Sequence, residues 1–145
     1  RRFELRYTST NGVKVIDDYA HHPTEIKETI NAVSKINKNR LISIFQPHLF
    51  SRTQNFYNQF AESLSKSDII ILTKIFPARE RPISNVKSDL IYNKIKELRH
   101  QNIYLVNQKN KIPDLLKKIV KKNDNILIMG AGDINKIINN IIKNL

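Results

Sequence analysis

The chain has 145 residues, with 25 Lys and Arg against 13 Asp and Glu, a formal charge of +12 and 40% hydrophobic residues. That length suits one unit, residues 1–145, able to bury roughly 68–70% of its unfolded surface. No apolar run approaches the ~20 residues of a membrane-spanning helix, and no signal-peptide pattern opens the chain. The lack of cysteine excludes disulfides and thiolate metal sites and suits the cytoplasm.

Strand and helix patterns alternate almost to the end. Phe3–Thr8 and Val13–Asp17 read as strands joined through Asn11-Gly12, a hairpin-turn signal. Pro23–Ile36 places Ile26, Ile30, Val33 and Ile36 at helical spacing, with Glu25 in the first turn. Arg40–Phe45 reads as a strand, and Phe50–Ser65 as an amphipathic helix carrying Phe56, Phe60 and Leu64. Asp68–Ile75 is apolar on both faces, the mark of a central parallel strand. A proline-rich loop leads to a helix near Ser88–Leu98, a strand at Asn102–Val106, a helix at Ile112–Lys121 and a strand at Asn125–Met129. A final helix is expected from Asp133 onward. These repeated units predict an α/β, Rossmann-like open sheet of about six strands, mostly parallel, with helices on both faces. The opening hairpin supplies the one antiparallel strand.

The positive charge invites a nucleic-acid reading. The excess, however, is mostly lysine spread along helices, as in Lys117-Lys118 and Lys121-Lys122, and no zinc-finger spacing or RNP-like motif is present. Lys, Ile and Asn all have AT-rich codons, so base composition is a sufficient cause. Charge alone assigns no nucleic-acid partner.

Four polar clusters follow predicted strands: Asp17–Pro23, Gln46–Arg52, Pro77–Pro82 and Gly130–Asp133. In a parallel sheet all these ends share one edge, where open α/β folds bind ligands. Asp18 suits ribose hydroxyls, or serves as a turn residue. Tyr19 suits a base or a hydroxyl contact, or a half-buried core position. His21 and His22 are adjacent, so their rings diverge and cannot easily share one metal; we expect no metal site. His48 and Arg52 are four residues apart, and the guanidinium suits a carboxylate or phosphate. At a helix start that cation opposes the dipole, so an anion beside it would make sense of it. Gly130-Ala131-Gly132 opens a dinucleotide-like pattern, but Asn135 takes the third glycine position. No G-x-x-x-x-G-K-[ST] or G-x-S-x-G motif occurs.

Together these motifs resemble the C-terminal domain of the Mur ligases. The resemblance runs from Arg1-Arg2-Phe3-Glu4 through Asp17–Pro23, Phe45–Arg52, Pro77–Ile83 and Met129–Ile134. It implies an ATP-dependent ligase of peptidoglycan precursor synthesis, in which ATP phosphorylates a muramic-acid carboxylate and an amino-acid amine attacks the acyl phosphate. Within the family, the intact Gln46-Pro47-His48 favours joining L-alanine to UDP-N-acetylmuramate over murein tripeptide recycling. The resemblance implies that Arg2, Asp18, Tyr19 and His21 contribute to ATP binding, and that His22, His48 and Arg52 hold the amino acid. Arg79, Gly130, Gly132 and Asp133 are accessory. Mg2+ is expected mainly on a central ATPase domain which, with an N-terminal UDP-sugar domain, completes the enzyme. The isolated chain is therefore expected to be inactive. One departure stands out: many members carry arginine where this chain has Leu49, leaving Arg52 alone unless Arg79 or Arg81 helps.

Overall fold

The computed structural model describes residues 2–145; Arg1 lies outside the described residues. Eleven elements alternate along the chain: β1 (Glu4–Thr8), β2 (Lys14–Asp18), α1 (Pro23–Ile36), β3 (Leu41–Phe45), α2 (Phe50–Leu64), β4 (Ile69–Leu72), α3 (Asp89–Glu97), β5 (Ile103–Leu105), α4 (Ile112–Ile119), β6 (Asn125–Met129) and α5 (Ile138–Lys143). The six strands form one sheet in the order β1-β2-β6-β3-β4-β5. Only β1 runs antiparallel, paired with β2; the other four pairings are parallel. The expected mostly parallel sheet is observed.

Strand order dictates which face each helix covers. From β2 the chain steps to β3, β4 and β5 in one direction, so right-handed crossovers put α1, α2 and α3 on one face. It then reverses to insert β6 between β2 and β3, and the same handedness sends α4 to the opposite face. The two cores follow this division. Ile26, Ile30, Phe60, Leu64, Ile91 and Ile95 meet one side of the sheet; Ile112, Leu116, Ile134, Ile138 and Ile141 meet the other. Successive strand residues alternate between them: Leu127 and Met129 join the first core, Ile126 and Ile128 the second. Each fully buried Ile, Leu or Phe contributes roughly 1.5–3 kcal/mol relative to exposure.

Two helix boundaries depart from the expected ones by two residues or more. The final helix does not begin at Asp133; a 3-10 turn at Ile134–Ile137 precedes α5. There the Lys136 amide bonds to the Asp133 carbonyl, and the Ile134 amide is taken by the Gln46 side chain. Helix α4 stops at Ile119 rather than Lys121. Val120 is extended, and Arg40 Nη2 donates to the Ile119 carbonyl at 2.8 Å. No helix among the described residues is long and apolar enough to cross a membrane.

Candidate functional site

The reversal at β6 brings the ends of β2, β6 and β3 side by side, and all four polar clusters are physically joined there. The Gly130 amide donates to the Asp18 carbonyl at 3.3 Å, linking the first and fourth clusters. Gln46 Nε2 donates to Asp133 at 2.7 Å, linking the second and fourth. The second and third meet where Ser51 N donates to Glu80 Oε1 at 2.9 Å, and just ahead of the third Leu49 N donates to the Phe76 carbonyl and Phe76 N to the Pro47 carbonyl. A row of rings closes the circuit. Tyr19 and His21 centroids lie 5.4 Å apart, His21 and His48 6.0 Å, and His48 stacks on Phe76 at 5.8 Å.

The first cluster shows how far polar groups are already committed. Asp18 accepts from the amides of Ala20 (2.7 Å) and Phe3 (3.0 Å) and from the Thr29 hydroxyl (3.3 Å). It is thus a turn residue in this structure. A carboxylate has about four acceptor positions, so these bonds leave room for one further donor. It lines a cavity of about 210 Å³ together with Arg2, Tyr19, Glu25 and Glu28. Tyr19 is exposed rather than a core tyrosine. His22 caps α1: its Nδ1 accepts from Thr24 N, while Glu25 Oε1 accepts from the amides of both His21 and His22. Burial opposes ionisation of Glu25, but those amides outweigh it and hold the carboxyl below its ordinary value. The rings diverge as expected, His21 toward His48 and His22 against Phe56 at 5.1 Å. Among the described residues, no three His, Asp or Glu side chains form a metal-binding group.

In the second cluster Arg52 Nη1 donates to His48 Nδ1 at 3.1 Å, which leaves the proton of a neutral His48 on Nε2. Burial, then the charges of Arg52 and His21, push the His48 pKa below the usual histidine value, while Glu80 opposes them. A depressed folded-state value makes His48 a source of stability that is present above about pH 6.5 and lost as pH falls through the folded value. The unfolding midpoint is therefore expected to fall more steeply below pH 6.5 in the wild-type chain than in His48→Gln. Equal slopes in thermal melts across pH 5–7.5 would remove His48 as the source.

The family model described as "Mur ligase, glutamate ligase domain" matches residues 1–132. The chain belongs to the Mur ligase family. It is 48% identical to the UDP-N-acetylmuramate–L-alanine ligase of Clostridium tetani, over 94% of this chain but only 29% of that protein. Its fold matches the UDP-N-acetylmuramate–alanine ligase of Thermotoga maritima with a TM-score of 0.76 at 26% identity, over 99% of this chain and 29% of that one. It matches a murein peptide ligase of Psychrobacter arcticus equally well, at 0.78 and 24% identity over the same shares, 99% and 29%. Backbone shape therefore does not set this chain closer to one of these two ligases than to the other.

Within this Mur ligase chain, the fourth cluster is a packing device as much as a loop. A Cβ on Gly132 would lie 2.5 Å from Phe76 Cγ and 2.6 Å from Gln46 Oε1, so only glycine lets the loop lie against them. Burial works against Asp133, but bonds from Gln46 and Lys109 hold its carboxyl below the ordinary range. Lys109, 3.1 Å from Asp133, is a residue the motifs missed. Its only sequence signal is position: it follows β5 at the same sheet edge. It lines a crevice of about 970 Å³ with Gln46, Phe50, Phe76, Glu80 and Asp133. His48 adjoins that crevice through Phe76. Arg79 and Arg81 are exposed on the loop after β4.

Proposed function

We propose that this chain, residues 1–145, is the C-terminal closing domain of a cytoplasmic ligase that joins L-alanine to UDP-N-acetylmuramate, with ATP as co-substrate. The observation that carries this reading is the joining of four clusters at one sheet edge, with a half-buried Arg52–His48 pair facing the heptad that begins at Asp17. The C. tetani relative, at 48% identity, favours alanine over tripeptide. ATP supplies the activation of the muramic-acid carboxyl. This domain's residues bind and orient: Arg2, Asp18, Tyr19 and His21 on the nucleotide side, Arg52 on the alanine carboxylate, and His48 holding the guanidinium. His22 supports the amino-acid side through the start of α1 and its contact with Phe56. Gly130, Gly132 and Asp133 shape the adjoining loop, and Arg79, exposed on the loop after β4, is accessory. Among the described residues no three His, Asp or Glu side chains cluster, and Mg2+ would be held mainly by the central ATPase domain. A central ATPase domain and an N-terminal UDP-sugar domain of the same protein are its partners.

The test is phosphate release by the whole ligase with ATP and UDP-N-acetylmuramate. Release is expected with L-alanine and not with L-alanyl-γ-D-glutamyl-diaminopimelate. The reverse preference would sustain the recycling reading. Turnover by residues 1–145 alone would sink the assignment as a domain dependent on partners.

A further inference from the structure

We infer that Glu80 is a positioning residue for Arg52: from the loop after β4 it caps α2 through Ser51 and fixes the helical turn on which the guanidinium stands. The inference rests on the reading that Arg52 holds the alanine carboxylate.

A helix leaves its first amides without intrahelical acceptors, and a side-chain oxygen at the N-cap ordinarily supplies one. Helix α2 lacks both usual devices. Its N-cap is Leu49, an apolar residue held at φ +73°, and its first turn has no acidic residue. Its first turn instead carries Arg52, a cation at the end where the helix dipole disfavours one. Glu80, 29 residues further along the chain, corrects both deficits. One carboxylate oxygen accepts from the Ser51 amide at 2.9 Å and the other from the Ser51 hydroxyl. Both oxygens engage one residue, so the carboxylate fixes orientation as well as charge.

The loop that delivers Glu80 is itself anchored. Glu80 N donates to the Pro77 carbonyl, and Phe76 exchanges backbone bonds with the segment that leads into α2, donating to the Pro47 carbonyl and accepting from Leu49 N. The Ser51 bonds, with the neighbouring Arg52 charge, hold the Glu80 carboxyl below its ordinary value, so it is anionic at neutral pH. The anion that the position of Arg52 called for is thus partly supplied from within the fold. Without Glu80 the first turn loses its acceptor and its counter-charge, and small displacements of a binding group are costly.

The test uses the full-length ligase. Glu80→Ala is expected to raise the KM for L-alanine about tenfold, the scale of one weakened charged hydrogen bond, with the KM for ATP unchanged. Glu80→Gln keeps two hydrogen-bonding atoms and is expected to restore most of that loss. In an Arg52→Ala background, adding Glu80→Ala should leave the alanine KM unmoved, because the residue acts through Arg52. Independent, multiplying effects of the two substitutions would overturn the inference, as would an equal rise in both KM values. If the wild-type enzyme releases no phosphate with alanine, the proposed function fails instead. The cap is then judged by melts of Ser51→Ala, Glu80→Ala and the double variant: non-additive losses support it and additive losses overturn it.

Discussion

Asp124→Ala is expected to lower the unfolding free energy by about 3 kcal/mol, the lower end of the cost of removing one partner from a buried ion pair. Asp124 is only 2% exposed and immediately precedes β6. It accepts from Arg40 Nε at 3.1 Å, from Arg40 Nη2 at 2.7 Å and from the Lys121 amide at 2.7 Å. Through these bonds one carboxylate ties the end of α4, the segment before β6 and the segment before β3. Alanine leaves the Lys121 amide without its acceptor and Arg40 without its counter-charge. The Arg40 side chain is 28% exposed, so it regains some hydration, which places the loss at the lower end of the range. Asp124→Asn can still accept from Lys121 and should cost about half as much. Urea unfolding of the 145-residue chain reads both. A loss under about 1 kcal/mol for alanine would class the pair with surface salt bridges.

That network was invisible in the sequence, for the same reason that Glu80 was. Arg40 and Asp124 are 84 residues apart, and Ser51 and Glu80 29 apart; neither pair leaves a periodic trace. What periodicity does encode came through. Pro23–Ile36 and Asn125–Met129 have the expected bounds because their apolar residues repeat at 3.6 and near-continuous spacing, with Pro23 marking the helix start. The rule that parallel strands end on one edge was enough to place Asp18, His48 and Gly130 together. It did not show that Asp18 accepts three bonds, from the Phe3 and Ala20 amides and the Thr29 hydroxyl, or that His22 caps a helix. His22 had a readable clue, since Glu25 three residues later matches the capping-box spacing. Lys109 had none beyond following a strand, because its partner Asp133 lies across the sheet edge.

Arg52→Ala in the full-length ligase is expected to raise the KM for L-alanine about 10–100-fold, from the roughly 1.5–3 kcal/mol of a hydrogen bond to a charged group. The KM for ATP should stay within about twofold, since the residues proposed for the nucleotide side sit ahead of β1, at the end of β2 and in the loop after it rather than on α2. Stability should change little: Arg52 is partly exposed and bonds one side chain, His48. Arg52→Lys keeps the charge but loses the two-pronged geometry, so its KM should fall between the two. Leu49 sharpens the test. Where many family members place a second arginine, this chain has an apolar residue at φ +73° whose amide is fixed to the Phe76 carbonyl at 2.9 Å. On the proposed reading Arg52 then bears more of the carboxylate binding, and Arg79→Ala is expected to shift the alanine KM by less than about threefold. An unchanged alanine KM in Arg52→Ala would remove Arg52 from the subsite. A large effect of Arg79→Ala instead would move the carboxylate to the loop after β4 and would overturn the role of Glu80 as a positioning residue for Arg52.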